Sequence, residues 1–521
     1  MLGHYAFADI LVFIGYGLVL LGSGWLFNRQ NRSANDYFLG GNSIPMWMVA
    51  ISVLATSQSA ATFLGGPDQG YRNDLTYLST NIGAFIAAYF VAIFLIPRFY
   101  QQKVYTVYEL LEQRFGARAK RLAGLMYLFG RVFASGARLY MAALAVAMIL
   151  FGNIDASSVI TATLIITVCG LVYTVYGGIR TVIYSDVLQA VIYVGAAIAV
   201  IIVLYNAIPA SFGDIVAALQ NPAPGETSKL RLINTDWDFS NSGVFSLLSV
   251  LTGFVLLNIA AFGLDQDMTQ RVLTCKNAKE GSRAMLMSVV MVIPVMLLFL
   301  VIGLLLYVYY QRPDIMASGL SDGPVPSFAG EPVTIFMYYV LTEIPAGVRG
   351  LVTIGILAAA LSTLNSGLNS MASVLVQDLY RPWREAKHQQ TQDSHYVKAG
   401  RWAMVLVASA LGFMACLCYY WQQYTNMPLL QFALGVMVFS YSGLLGVYFV
   451  TLFSQRGSQR SVIIALIVGF LVPLSMQPYV IHTVLPSQWH FELGFTWQLV
   501  IGTAISTLIC ALGRTTAEPK N

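Results

Sequence analysis

Runs of apolar residues, each about twenty residues long, follow one another along almost the whole chain, from residue 7 to residue 512. A run of this length crosses the hydrocarbon core of a bilayer as a helix, which satisfies its backbone hydrogen bonds internally. We count about thirteen such runs by this criterion. Only 10% of the residues are charged, against about 25% in soluble domains. The sequence therefore predicts an all-α polytopic membrane protein whose surroundings are the lipid bilayer.

The lysines and arginines between these runs are unevenly distributed. With the N-terminus outside, the inner loops hold most of them, including Arg114, Arg180, Arg271 and Arg381. The positive-inside rule then predicts an outer N-terminus and an inner C-terminus. The first run, 7–28, has neither a basic flank before it nor a small-residue cleavage site after it. We therefore expect a retained helix rather than a signal peptide.

A cluster of hydroxyl and amide side chains interrupts one of these apolar runs, at "AAALSTLNSGLNS" from Ala358 to Ser370. Ala359, Ser362, Thr363 and Ser366 are spaced i, i+3, i+4 and i+7, so they share one helical face. Neutral oxygens on such a face suit a hard monovalent cation, because they replace its hydration shell without a strong fixed charge. Close helix packing also collects small and hydroxyl residues, and it is the alternative interpretation.

Three ionisable side chains fall within other predicted spans. Asp186 lies at a depth similar to that of Ser366 and needs a cation, a proton or a hydrogen-bond donor as partner, unless it only caps its helix. Arg131 and Arg138 are seven residues apart and share one face of their span. Arg138, near the midplane, suits bidentate binding of a carboxylate, and pairing with an internal aspartate or with backbone carbonyls is the alternative.

Two of the predicted spans contain segments that form helix poorly. The first runs from Thr56 to Thr62 and ends in Gly65-Gly66-Pro67, and the second covers Asn258 to Gly263. Glycine and proline disfavour a continuous helix, and an interrupted membrane helix exposes backbone groups that bind ions in transporters. Two such helices at corresponding positions predict a transport site, although two kinked but ordinary helices would give the same pattern.

Four segments together resemble the solute:sodium symporter family: "ATSQSAATFLGGP", "YGGIRTVIYSDVLQ", "GLDQDMTQR" and "LAAALSTLNSGLNS". The resemblance covers residues 35 to 450. It implies a LeuT-like core of two inverted five-helix repeats within a single transmembrane domain. In this chain the repeats would span about 45–207 and about 244–453, after an extra helix at 7–28 and before two C-terminal helices at about 461–512.

The resemblance also implies a sodium site between the first and eighth core helices. Its backbone oxygens would come from Ala55, Gln58 and Ala359, and its hydroxyls from Ser362 and Thr363. Some members of the family hold a second sodium ion with an aspartate of the fifth core helix. The residues that would form this second site are Asp186, Ser362, Asn365 and Ser366, although the two-sodium pattern prefers a hydroxyl at the position of Asn365.

The substrate site that the resemblance implies lies beside the helix breaks. Extension from the first motif indicates Ser59, Thr62, Tyr77 and Asn81, and Asn258 aligns with a sugar-contacting asparagine. Phe262 is the aromatic residue nearest the usual inner gate, and Arg138 lies near the arginine with which the sialic acid transporter binds a carboxylate.

The sequence thus predicts a symporter that couples Na⁺ to the import of a small polar solute such as a sugar, a sialic or uronic acid, or another organic acid. A proton-coupled carrier that uses Asp186 and a non-transporting membrane sensor are the alternatives. We expect no enzymatic activity, no organic cofactor, no nucleic acid and no obligatory protein partner. A bacterial inner membrane is the expected location.

Overall fold

The computed structural model is almost entirely helical. It describes residues 6–27, 33–222, 227–316, 327–328, 331–332, 334–387, 392–422, 434–484 and 486–514. The helices of the first half are α1 (Phe7–Phe27), α2 (Ala34–Leu39), α3 (Met46–Ser57), α4 (Ala60–Arg72), α5 (Thr80–Phe94), α6 (Ile96–Gln102), α7 (Glu109–Phe115), α8 (Ala117–Phe151), α9 (Ala156–Ala207) and α10 (Phe212–Gln220).

The second half begins with α11 (Leu247–Gly263), α12 (Gln266–Val272), α13 (Ala278–Gln311), α14 (Pro313–Met316) and α15 (Ile335–Thr342). It continues with α16 (Val348–Glu385), α17 (Asp393–Gln422), α18 (Val438–Phe453), α19 (Gln459–Ser475), α20 (Pro478–Val484) and α21 (Phe495–Leu512). The antiparallel strands β1 (Ser327–Phe328) and β2 (Glu331–Pro332) form a minimal hairpin.

Long apolar helices dominate the described residues. Seven are long and apolar enough to cross a membrane, or up to nine if each of two bent helix pairs counts as one span. Four shorter apolar helices accompany them: Phe7–Val19, Ala156–Val172, Val438–Phe453 and Gln459–Ser475. The predicted all-α membrane class is confirmed.

Two helices are interrupted by extended residues. Gln58 (φ −93°, ψ 99°) ends α3 before α4 begins. Asp265 (φ −87°, ψ 117°) separates α11 from α12, and the two helices meet at a bend of 57°. An α-helix leaves its last four carbonyl groups without intrahelical donors. Each break therefore offers polar backbone groups inside an otherwise apolar bundle.

The longest helix, α9, bends at one glycine. Gly178 has φ 60° and ψ −165°, a conformation open essentially to glycine alone. A Cβ atom at this position would lie 2.6 Å from the backbone oxygen of Tyr37. The Tyr37 hydroxyl in turn donates to the oxygen of Val175, one turn before the bend. Helix α2 therefore packs into the bend of α9.

Helix α16 forms the centre of the bundle. Of its most apolar stretch, 89% is buried, and it packs against α8, α9 and α17. Gly355 lets the helices approach closely, since a Cβ there would lie 3.0 Å from both Ala196 of α9 and Phe63 of α4. The polar segment of α16 consequently faces protein on every side rather than lipid.

Candidate functional site

The polar face of α16 is buried and internally hydrogen-bonded. The Thr363 hydroxyl donates to the Ala359 oxygen over 3.2 Å, and the Ser366 hydroxyl donates to the Ser362 oxygen over 2.5 Å. A hydroxyl that donates in this way keeps its lone pairs available to a cation. This face therefore presents neutral oxygen atoms that are buried inside the protein.

The break after α3 lies beside this face. The Thr56 hydroxyl is 3.2 Å from the Ser366 hydroxyl, and Ala55 and Gln58 are buried at the end of the same helix. The end of α3 and the polar face of α16, which carry the residues predicted for the first sodium site, thus contact each other. Their buried carbonyl and hydroxyl oxygens fit a monovalent cation, and their role as ligands stays a prediction.

Asp186 is surrounded by donors from three other helices. Its Oδ1 accepts from the Ser362 hydroxyl over 2.7 Å. Its Oδ2 accepts from the Ser52 hydroxyl of α3 and from the Arg271 guanidinium of α12, the latter over 3.1 Å. Asp186 is fully buried. The carboxylate therefore joins α3, α9, α12 and α16, and its cation partner is an arginine.

Arg271 is completely buried, although the sequence analysis assigned it to an inner loop. Its Nε donates to the Ser52 hydroxyl over 2.8 Å, and its Nη1 donates to Asp267 Oδ1 over 3.0 Å. Its Nη2 also donates to the Ser366 hydroxyl. The loop assignment is wrong because Arg271 lies in α12, a helix whose residues are all buried.

Asn365 makes no hydrogen bond to these residues. Its amide is buried, and neither of its polar atoms has a hydrogen-bond partner among the described residues. The amide oxygen is 3.1 Å from the position of a Cβ on Gly170, in the first half of α9. Of the four residues predicted for a second sodium site, the structure therefore brings three together around Arg271.

A second arginine continues the row of buried charges. Arg131 of α8 pairs with Asp265 over 2.8 Å and with Asp267. The Tyr441 hydroxyl donates to the same Asp265 oxygen over 2.6 Å. Asp267 also pairs with Arg271. These five residues, Arg131, Asp265, Asp267, Arg271 and Asp186, form the buried charge row, in which every carboxylate contacts a guanidinium.

One end of the charge row opens into a cavity beside both helix breaks. Five residues predicted for the substrate site line this cavity: Tyr77, Asn81, Arg138, Asn258 and Phe262. Gln58, Arg131, Asp265 and Tyr441 also line it. Ser59 and Thr62 are buried nearby but are outside the lining, and their roles stay predictions.

Arg138 differs from Arg131 in having no carboxylate partner among the described residues. Its Nη2 contacts the sulfur of Met437 at 3.2 Å. Its Nη1 is buried without a hydrogen-bond partner. A guanidinium has five N–H donors and tolerates burial poorly when they are unpaired. The cavity therefore contains a cationic group that suits an anionic ligand.

The fold and this site define a helical membrane protein with a polar-lined cavity beside two broken helices. The family model for the Sodium:solute symporter family matches residues 37–469. The chain therefore belongs to the sodium:solute symporter family. It is a multi-pass membrane protein that couples Na⁺ to transport of a small solute, and it is not an enzyme.

Relatives of similar length support this assignment. The sodium/sialic acid symporter SiaT of Proteus mirabilis is 27% identical over 96% of this chain and 94% of its own. The sodium/glucose cotransporter of Vibrio parahaemolyticus is also 27% identical, over 97% of this chain and 91% of its own. Sodium is thus the coupling ion, while the named substrates of these relatives differ.

Among solved structures, an outward-open, substrate-bound Na⁺-coupled sialic acid symporter matches with a TM-score of 0.79. Its sequence identity is 24%, and the match covers 97% of each chain. At this identity the match shows the fold alone.

Sequence reasoning missed Asp265, Asp267 and Arg271 as members of one buried network. The signal was present in "GLDQDMTQR", in which three charged residues directly follow the weak helix. Charged residues that follow a helix break inside a membrane core need buried partners. The need for buried partners would have predicted that all three residues lie inside the bundle.

Proposed function

We propose that the protein imports a small organic anion together with Na⁺ by alternating access. About thirteen helices would cross a bacterial inner membrane, with the N-terminus outside, the C-terminus inside and a core of two inverted five-helix repeats. Na⁺ would bind at Ala55, Gln58, Ala359, Ser362 and Thr363. The solute would occupy the cavity lined by Tyr77, Asn81, Asn258 and Phe262, beside Ser59 and Thr62.

The observation that carries this proposal is the guanidinium of Arg138, which lines the cavity and has no carboxylate partner among the described residues. Arg131 lines the same cavity, but its charge is neutralised by Asp265 and Asp267. A substrate carboxylate would give Arg138 the charge-assisted hydrogen bonds that its protein neighbours do not provide. A sialic or uronic acid fits this requirement, since the cavity amides of Asn81 and Asn258 suit the hydroxyl groups of a sugar ring.

Sodium would act by holding the two sides of the break in place. Bound between the end of α3 and the face of α16, it would favour one arrangement of the broken helix and so a formed solute site. Solute binding and Na⁺ binding would then strengthen each other, as linkage requires. Loss of Na⁺ to the inner solution would release the solute.

The proton-coupled alternative is less well supported. Asp186 already accepts hydrogen bonds from two hydroxyls and from the Arg271 guanidinium, so its partners lie within the protein. The known relatives are moreover named for sodium coupling.

The substrate class is tested with purified protein in Na⁺ buffer. Sialic acid, glucuronate, a short monocarboxylate and glucose are compared for their ability to raise the melting temperature. We expect an acid to stabilise the protein and Arg138→Gln to weaken its binding by about tenfold to a hundredfold, because a hydrogen bond to a charged group contributes about 1.5–3 kcal/mol.

The matched control is Arg118→Gln, which removes an exposed arginine from the start of the same helix and leaves binding unchanged. A neutral sugar that binds the wild type and Arg138→Gln equally well would contradict an anionic substrate.

A further inference from the structure

A second cavity lies outside the charge row, between the C-terminal end of α16 and the N-terminal part of α17. Its volume is about 790 Å³, within the range of about 300–1,000 Å³ that small-molecule sites occupy. The side chains that shape it are Leu379, Tyr380 and Trp383 of α16 and Lys398, Trp402 and Leu406 of α17. We call the space between these six side chains the α16–α17 groove.

The wall formed by α17 changes from charged to apolar along its length. Lys398, Trp402 and Leu406 are spaced at intervals of four residues, so they follow one face of the helix. At 1.5 Å per residue, Lys398 and Leu406 are separated by about 12 Å along the axis. Trp402 is 76% exposed and Leu406 is 63% exposed. A phospholipid has the same order of groups, with a charged headgroup above apolar chains.

The wall formed by α16 is aromatic and contacts α17. The Tyr380 ring stacks on Trp383 and on His395, with ring centroids 6.1 Å and 5.8 Å apart. The Tyr380 hydroxyl is also 2.8 Å from His395 Nε2. Trp383 is half exposed. Tryptophan side chains of this kind are enriched where a membrane meets water, so the groove lies at the level of lipid headgroups.

The charged end of the groove is rich in cations. The segment from residue 381 to residue 401 has two acidic residues, Glu385 and Asp393, against five basic ones: Arg381, Arg384, Lys387, Lys398 and Arg401. Glu385 pairs with Arg381 over 2.8 Å. Lys387 adds a second cation beside the groove, since its Nζ lies 4.0 Å from the ring centroid of Trp383.

Lys398 is the cation that lines the groove itself. Its side chain is exposed, and among the described residues no carboxylate forms an ion pair with it. Asp393 precedes it by five positions, outside the three- or four-residue spacing at which helical side chains meet. The charged end of the groove therefore lacks an anion from the described part of the protein and suits an anionic ligand.

We propose that the α16–α17 groove binds one anionic phospholipid, with its phosphate at Lys398 and an acyl chain along Trp402 and Leu406. Basic pockets between membrane helices bind anionic headgroups in this way, and the predicted topology places the groove at the inner leaflet. The lipid site is separate from the solute cavity, and it requires neither Na⁺ nor the solute for its occupation.

Titration of brominated phosphatidylglycerol into the purified full chain in detergent tests this proposal, because bromine on an acyl chain quenches the fluorescence of tryptophan in contact with it. We expect quenching that saturates. Lys398→Gln should raise the lipid concentration for half-maximal quenching by about fivefold, since a basic residue near an anionic membrane surface contributes about 1 kcal/mol. Brominated phosphatidylcholine, whose headgroup has no net charge, should bind more weakly and equally to both proteins.

Two matched controls separate the groove from the rest of the surface. Arg121→Gln removes an exposed arginine at the start of α8, outside the groove, and should leave the titration unchanged. Replacement of Trp383 and Trp402 together by phenylalanine should abolish the saturable quenching. Trp47→Phe, at a half-exposed tryptophan of α3, should retain it.

Three results would overturn the proposal. One is an equal shift in Arg121→Gln and Lys398→Gln, which would show general attraction to basic surface. Another is equal affinity of the wild type for the two brominated lipids. The third is saturable quenching that survives loss of both groove tryptophans, or no saturable quenching in the wild type, as expected if a protein segment fills the groove.

Discussion

Two adjacent hydroxyl residues of α16 have different partners. The Ser362 hydroxyl donates to Asp186, whereas the Thr363 hydroxyl donates to the Ala359 oxygen within its own helix. Substitution of Ser362 would remove a hydrogen bond to Asp186 as well as an oxygen of the proposed sodium site. Thr363 is therefore the residue at which sodium binding is tested with the least effect on the surrounding network.

We expect Thr363→Ala to raise the Na⁺ concentration needed for half-maximal uptake by about tenfold, since a hydrogen-bonding ligand contributes about 1–1.5 kcal/mol. Thr363→Ser keeps the oxygen and should remain close to the wild type. Uptake into proteoliposomes at graded Na⁺ concentrations measures both variants. Equal Na⁺ dependence in the alanine and serine variants would remove Thr363 from the site.

Arg131 and Arg138 show how far the sequence predicts such a site. The spacing of the two arginines correctly places both within one span. A charged side chain at that depth needs a partner. It does not show which arginine is neutralised, because the carboxylates that pair with Arg131 lie 134 and 136 residues away in sequence. That distinction depends on how α11 and α12 pack against α8, which is a property of the tertiary structure.

The sequence predicts that two of the helices are broken. It predicts the positions of the breaks only in part. The polar run from Thr56 to Thr62 contains the actual break at Gln58. Gly66, which also suggested a break, lies inside the continuous helix α4 and packs against Phe299 of α13, where a Cβ would come within 2.9 Å. The sequence alone does not distinguish a glycine that allows close helix packing from a glycine that allows a helix to break.

The bend of α9 gives a prediction at the scale of one element. Gly178→Ala would force a strained conformation, at about 1–3 kcal/mol, and place a methyl group against the Tyr37 backbone. We expect a lower melting temperature of the purified protein.

The control for this bend is Gly195→Ala in the same helix, where a Cβ meets nothing within 4 Å. That change should leave stability unchanged or raise it by about 0.5–1 kcal/mol, because glycine is unfavourable in a helix interior. Two variants with the same melting temperature would show that the bend does not require glycine.

The predicted orientation of the whole molecule rests on its loop charges and is open to a direct test. Trp237, with 80% of its surface exposed, lies in the predicted outer loop, and the exposed Lys387 lies in a predicted inner loop. In a background without the five native cysteines, a membrane-impermeant maleimide should label Trp237→Cys in intact cells. Lys387→Cys should react only after permeabilisation, and the opposite pattern would invert the topology.

The buried charge row has a consequence for how the carrier responds to voltage. Its three carboxylates and two guanidiniums, together with the guanidinium of Arg138, leave this part of the core without net charge. A monocarboxylate that enters with one Na⁺ carries no net charge, whereas one that enters with two Na⁺ carries one positive charge. Each uncompensated charge that crosses the membrane contributes about 2.3 kcal/mol per 100 mV. With one Na⁺ per monoanion, the sodium concentration gradient alone would drive accumulation, and with two the membrane potential would add to it.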